Sequence, residues 1–229
     1  MPSLAQILTD HGSALVLDAA STRIQVGLLQ ADAPALWRES GESEAGTAVF
    51  TLTSEVLHAA DRSIDEVGAF IFCEGPGSML GVRTVAMALR TWQALIPRAC
   101  YSYQSLAVAG RAAWRTGARR AFAVIADARR ETWHQQLIAA DGQLDGPLAR
   151  LPVAALAARE RVTPENFRTW STLPPDVRAV NYRLAELLPI VAGDHDFAVA
   201  TLPDAFQHEA PEYKKWSAQI HQAAPASPK

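Results

Sequence analysis

The sequence predicts an α/β protein assembled from two related lobes, each a mixed sheet carrying helices. Two observations lead there. β-rich hairpins at residues 14–29 and 120–139 open the two halves of the chain, and each carries an aspartate, Asp18 or Asp127, followed by alanine at the end of its first strand. Around them, runs with the two-residue period of strands alternate with runs of helical period in the order β-β-β-α-β-α-β. Aspartate also favours turns for local reasons, so the duplication rests on shared layout rather than on identity. A chain of 229 residues is long enough for one large domain or two lobes with a proper core.

The elements follow in order. ALVLDAASTRIQVGLL (14–29) reads as strand, small polar turn, strand, and residues 36–39 add a third strand. Residues 45–60 have helical periodicity, and GAFIFC (68–73) is a short, fully apolar strand. Ser78 is placed to cap a helix that runs to about Leu95, where Pro97 ends it. A strand near 99–102 and a helix over 104–114 complete the first half. After the second hairpin, AADGQLDGPLARLP is turn-rich, 153–160 is expected as a short helix, and TPENFRTWSTLPPD is too rich in proline for long elements. Residues 182–188 are expected to be helical, and the terminal QAAPASPK to be disordered. These boundaries give an N-terminal lobe over 1–103 and a C-terminal lobe over 104–229.

Bulk properties narrow the function. A net charge of −3 with mixed signs advertises no general basic surface for nucleic acid. The two cysteines, Cys73 and Cys100, lie in or beside apolar strand-like runs, which excludes a disulfide framework and fits a reducing compartment. The first residues lack a basic region and an adequate apolar run for a signal peptide. The apolar stretch around 85–96 is too short to span a bilayer and contains Arg90. A cytoplasmic location is the expectation.

CEGPGSMLGVR (73–83) is the segment most suggestive of a ligand. It lacks the lysine of a phosphate-binding P-loop, and Leu80 stands where a dinucleotide motif needs its third glycine. Arg83 near a helix N-terminus meets an unfavourable dipole and needs an anion or a carboxylate such as Glu74. Two readings remain: an anion site formed by Gly75, Gly77, Ser78 and Arg83, or a tight strand-to-helix crossover with Arg83 held inside the lobe by a local ion pair. No catalytic residue, cofactor site or metal site is expected. Ser78 is not in a Gly-x-Ser-x-Gly elbow, and no histidine pair has i, i+4 spacing. Asp18 and Asp127 are the remaining candidates, as paired carboxylates that hold Mg²⁺ and water across a nucleotide cleft.

The two helices of the first half have more apolar surface than one sheet needs. In the helix after the glycine turn, Val82, Val85, Ala86, Leu89 and Gln93 share one face, and Leu80, Thr84, Met87, Ala88, Thr91, Ala94 and Leu95 lie opposite. In the 45–60 helix, Ala45, Ala48, Val49, Leu52, Val56 and Ala59 form a core stripe, while Phe50 and Leu57 project elsewhere. The spare faces are either covered by the second lobe or offered to a partner. The expected interface residues are Phe50, Leu57, Leu80, Thr84, Met87, Ala88, Thr91 and Leu95.

LVLDAASTRIQVGLL, AFIFCEGPGSMLGVRTVAMAL and VIADARRETWHQQL resemble the TsaB (YeaZ) family, with Gly-Pro-Gly-Ser…Gly-Val-Arg at 75–83 and Asp-Ala-Arg-Arg at 127–130. The match is good over 14–135 and thin over 140–200, with a partial echo at Ala210-Pro211-Glu212-Tyr213-Lys214-Lys215. Met79-Leu80 and Ala19-Ala20 depart from the family's usual residues. The resemblance implies an actin/Hsp70-like fold of two tandem ribonuclease-H-like lobes. It implies a non-catalytic subunit for making threonylcarbamoyladenosine in tRNA, which pairs through its first-lobe helices with the metal-bearing catalytic homologue TsaD and works with the ATPase TsaE. Contact with tRNA is then only indirect, through the complex. The alternatives are a nucleotide-dependent enzyme of the same fold, a glycopeptidase-like hydrolase, and a stand-alone homodimer without a tRNA role.

Overall fold

The computed structural model describes residues 1–41, 44–117 and 119–206. A short helix, α1 (Leu4–His11), precedes the first hairpin; Ser3 caps it by accepting from the Gln6 amide. The hairpin pairs β1 (Ser13–Asp18) with β2 (Arg23–Gln30), and β3 (Leu36–Gly41) adds to β2, all antiparallel. Helix α2 (Ala45–Ala59) follows, then β4 (Ala69–Gly75), helix α3 (Met79–Leu95), β5 (Ala99–Gln104) and helix α4 (Ser105–Thr116). β4 pairs parallel with β1 and β5 parallel with β4. The near-continuous apolar sequence of β1 and β4 is explained by this position, because both strands are covered on both faces.

The second sheet repeats the pattern. β6 (Phe122–Asp127) and β7 (Thr132–Ile138) form its antiparallel hairpin, β8 (Ala149–Pro152) adds to β7, and β9 (Arg161–Pro164) and β10 (Val177–Val180) continue in parallel from β6. The two hairpins therefore lie in separate sheets, each flanked by an antiparallel third strand and then by parallel strands. This is the actin/Hsp70-like, doubled ribonuclease-H-like α/β fold expected from the sequence. Residues 104–206 do not stay with the second sheet, however. Helix α5 (Leu184–Val191) packs on the first sheet, and β11 (Ala198–Val199) pairs antiparallel with β5 at that sheet's edge.

Three layers result in the first lobe. One face of its sheet packs on α2 and α3 through Leu15, Leu17, Val26, Phe70 and Phe72. The other face, through Val16 and Ile71, packs on α1, α4 and α5. Helix α4 also covers one face of the second sheet, so it is the element shared by both lobes.

Local expectations fared unevenly. The predicted helix over 153–160 is only a single 3-10 turn at Val153–Ala155, and β9 begins at Arg161. The apolar residues there do not need a helix, because Leu156 closes a small cluster on the outer face of the second sheet with Ala123, Ile125 and Trp133. Helix α1 and strands β8, β9, β10 and β11 were not anticipated. The expected disordered end and the motif at 210–215 lie outside the described residues.

Candidate functional site

The glycine turn is built for close packing. Ser78 caps α3 by accepting from the Gly81 amide, and its own amide donates to the Ala20 carbonyl at 2.6 Å. A Cβ at Gly77 would overlap the Ala20 carbonyl oxygen, and one at Gly81 the Ala19 carbonyl oxygen. The two glycines thus let the start of α3 press onto the β1–β2 turn, which the small side chains of Ala19 and Ala20 leave room for. The Gly75–Pro76 bond is cis, and the Pro76 carbonyl accepts from the Ser105 hydroxyl at 2.6 Å. Gly75 is buried and Gly77 and Ser78 are half-buried.

Arg83 is not where it was expected. It is exposed and makes no ion pair among the described residues, while Glu74 accepts from the Gln104 amide group at 3.2 Å. Its position on α3 explains this, since Val82, Val85 and Ala86 take the sheet-facing side and Arg83 falls on the outer one.

Both candidate aspartates are committed to protein donors. Asp18 is fully buried; its Oδ2 accepts from the Tyr103 hydroxyl at 2.6 Å and the Tyr182 hydroxyl at 2.7 Å, and its Oδ1 from the Ala20 amide at 2.8 Å. Burial pushes its carboxyl above the ordinary value, against the pull of those donors. Asp127 takes three backbone amides, from Arg129 at 2.6 Å, Trp170 at 2.8 Å and Ser171 at 2.6 Å. Burial works against it too, but there the amides win and hold the carboxyl below its ordinary value. The turn that Asp127 braces puts three successive residues, Arg129, Arg130 and Glu131, in left-handed conformation, with the Arg129 guanidinium over the Trp170 ring at 4.2 Å. Among the described residues, no three His, Cys, Asp or Glu side chains cluster as a metal would require.

The α2–α3 face is the other candidate. Leu80, Met87 and Leu95 are exposed by 76%, 57% and 77%, and Phe50 by 49%. Thr84 and Thr91 lie among them, and their hydroxyls donate back to the Leu80 and Met87 carbonyls, so this strip calls for no polar partner. Phe50 stands edge-on to Trp92, which in turn lies against Phe70 of the core. Two expected members are misplaced: Leu57 and Ala88 are buried in the cluster between the helices and the sheet. α2 and α3 pack on each other as well as on the sheet, and the side chains between them are consumed there. Leu57 still reaches the floor of a shallow hollow of about 370 Å³ beside Phe50, Ile64 and Trp92.

Tyr103, Tyr182 and Gln25 were missed. The tyrosines come from distant parts of the sequence and carried no local signal. Gln25 did carry one, as a polar residue in the middle of an otherwise apolar strand.

No protein-family model and no curated protein sequence matches the chain. Solved structures do. One described as an uncharacterised protein with similarity to peptidase YeaZ, from Pseudomonas aeruginosa, aligns with a TM-score of 0.66 and 20% identity. It covers 86% of this chain and 99% of its own. A second, described as YeaZ from the same organism, aligns at 0.65 with the same identity and coverage. At this identity the likeness is one of fold.

Proposed function

We propose that the chain is a TsaB (YeaZ)-type protein acting as a non-catalytic subunit in the formation of threonylcarbamoyladenosine in tRNA. Its α2–α3 face docks the catalytic TsaD homologue, the pair works with TsaE, and in the absence of TsaD a second copy takes the same face. The YeaZ-like fold, spanning nearly all of the compared structures, supports the family. The observation that carries the role is the strip Leu80, Met87 and Leu95 on α3. Large apolar side chains exposed along one helix, with self-satisfied threonines between them, suit a helix-to-helix contact.

The commitment of Asp18 and Asp127 to protein donors supports a subunit that does no chemistry in its own cleft. Each aliphatic anchor that becomes buried contributes roughly 1.5–3 kcal/mol, so three or four suffice for a specific complex. The test is co-purification of the wild type and Met87→Glu with the TsaD homologue of the same organism. Wild type is expected to form the complex and Met87→Glu to lose it while remaining folded. Equal complex formation by both would remove this face as the interface.

A further inference from the structure

The first hairpin grips the segment of the chain that follows the last strand of the second sheet. Gln25 of β2 is fully buried, and its side chain makes two bonds to that segment: Oε1 accepts from the Leu184 amide at 2.7 Å and Nε2 donates to the Tyr182 carbonyl at 3.1 Å. The Leu184 amide is one of the unpaired donors in the first turn of α5, and the helix's own cap residue, Arg183, makes no side-chain capping bond. Gln25 therefore caps α5 from the sheet on which that helix packs. Beside it, Asp18 holds the Tyr182 hydroxyl, and the Thr22 amide donates to the Asn166 carbonyl at 2.8 Å. At the surface, Glu39 accepts from Arg183 at 3.1 Å and from Arg23 at 2.7 Å.

We infer that residues 181–184 are the built-in occupant of the cleft between the lobes, and that Asp18 and Gln25 close on them as a clasp. The clasp holds the lobes in one arrangement with no ligand between them. Every buried polar group in it is satisfied by protein: Asp18 by two hydroxyls and an amide, Gln25 by a carbonyl and an amide. The Tyr182 ring is itself buried edge-on against Phe167, at 4.9 Å between centroids. A metal or nucleotide reaching Asp18 would first have to displace that ring and leave Gln25 and the start of α5 unpaired, an arrangement that buried polar groups resist. The α2–α3 face is then presented by a scaffold that needs nothing bound to set its shape. This inference does not depend on what that face binds.

Amide hydrogen exchange on the intact chain tests it with two variants. Gln25→Ala removes the cap, and Tyr182→Phe removes one hydroxyl while keeping the ring against Phe167. Exchange at Leu184 and the amides of the first turn of α5 is expected to speed up about tenfold in Gln25→Ala and less in Tyr182→Phe, with β1 and β4 protected as in wild type. Unchanged exchange in both variants would overturn the clasp, as would an equal acceleration throughout the chain. Mg²⁺ with ATP is the third arm. No change in protection at 18–25 and 181–184 of the wild type is expected, and new protection there would show the cleft open to a ligand.

Discussion

The hydroxyl of Tyr182 donates to the carboxylate of Asp18 at 2.7 Å across 164 positions of sequence, joining the end of β1 to the connection before α5. Tyr103 donates to the same oxygen. An aspartate at the end of the first strand is thereby turned into an internal acceptor, and its titration becomes a property of the fold.

The first prediction is a pH dependence. Burial raises the Asp18 carboxyl in the folded chain, so the folded state holds its proton more tightly than the unfolded state does. The stability this contributes is fully present below the unfolded pKa and is lost as pH rises through the folded pKa, with a slope of up to about 1.4 kcal/mol per pH unit. Asp18→Asn lacks this titration. Its stability relative to wild type is therefore expected to improve as pH rises from about 4 to about 8, measured by urea unfolding at each pH. A constant difference across that range would show that Asp18 does not titrate differently on folding.

The second prediction separates exposed from buried residues on α2 and α3. Met87→Glu and Leu80→Glu place a charge on an exposed surface and are expected to change the stability of the free chain by less than about 0.5 kcal/mol. Leu57→Ala removes a buried side chain and is expected to cost about 2–5 kcal/mol. Thermal unfolding of the three variants beside their association, read by light scattering, checks both. A large stability loss in Met87→Glu would mean that α3 is covered within the chain itself.

A third prediction concerns the glycine turn. Gly81→Ala forces the start of α3 away from Ala19, because the added methyl group has no room. It is expected to destabilise by about 1–3 kcal/mol, the usual range for overpacking. Gly46→Ala, at an open helical position of α2, is expected to be neutral or slightly stabilising. Denaturant midpoints of the pair give the comparison. A neutral Gly81→Ala would return the turn to consideration as a ligand loop.

The fold was legible because strand and helix periods repeat twice with the same aspartate layout, and the buried strands β1, β4 and β6 announce themselves as apolar runs. The site was legible only in part. Periodicity assigned Leu80, Met87 and Leu95 to the outer side of α3, yet it could not tell that α2 and α3 pack close enough to bury Leu57 and Ala88. Helix-to-helix distance is set by tertiary packing and leaves no mark on either helix alone. Arg83 was misjudged for a related reason: the dipole argument asks for a partner, but exposure to water removes most of the need. Tyr103, Tyr182 and Gln25 are brought together by tertiary packing of segments far apart in the chain, so nothing local in the sequence predicts their meeting.

The last prediction concerns Asp127, whose titration runs in the opposite sense to that of Asp18. Three backbone amides outweigh burial and hold its carboxyl below the ordinary value. Its contribution to stability is present above the unfolded pKa and is lost as pH falls through the folded one. Those amides belong to the β6–β7 turn and to the loop at Trp170 and Ser171, so the carboxylate ties two irregular segments together. It does so where Arg129, Arg130 and Glu131 all carry positive φ, a backbone that costs free energy for residues other than glycine. Asp127→Ala leaves three donors without their acceptor and is expected to cost about 2–3 kcal/mol at neutral pH, with the deficit shrinking below about pH 4 as the wild-type carboxylate protonates. Asp127→Asn keeps one carbonyl oxygen and is expected to lose about half as much. Hydrogen exchange should place the change at the Arg129, Trp170 and Ser171 amides, with the Leu184 amide held by Gln25 unaffected. Loosening of α5 in Asp127→Ala would show that the two aspartates brace one cooperative unit instead of two separate turns.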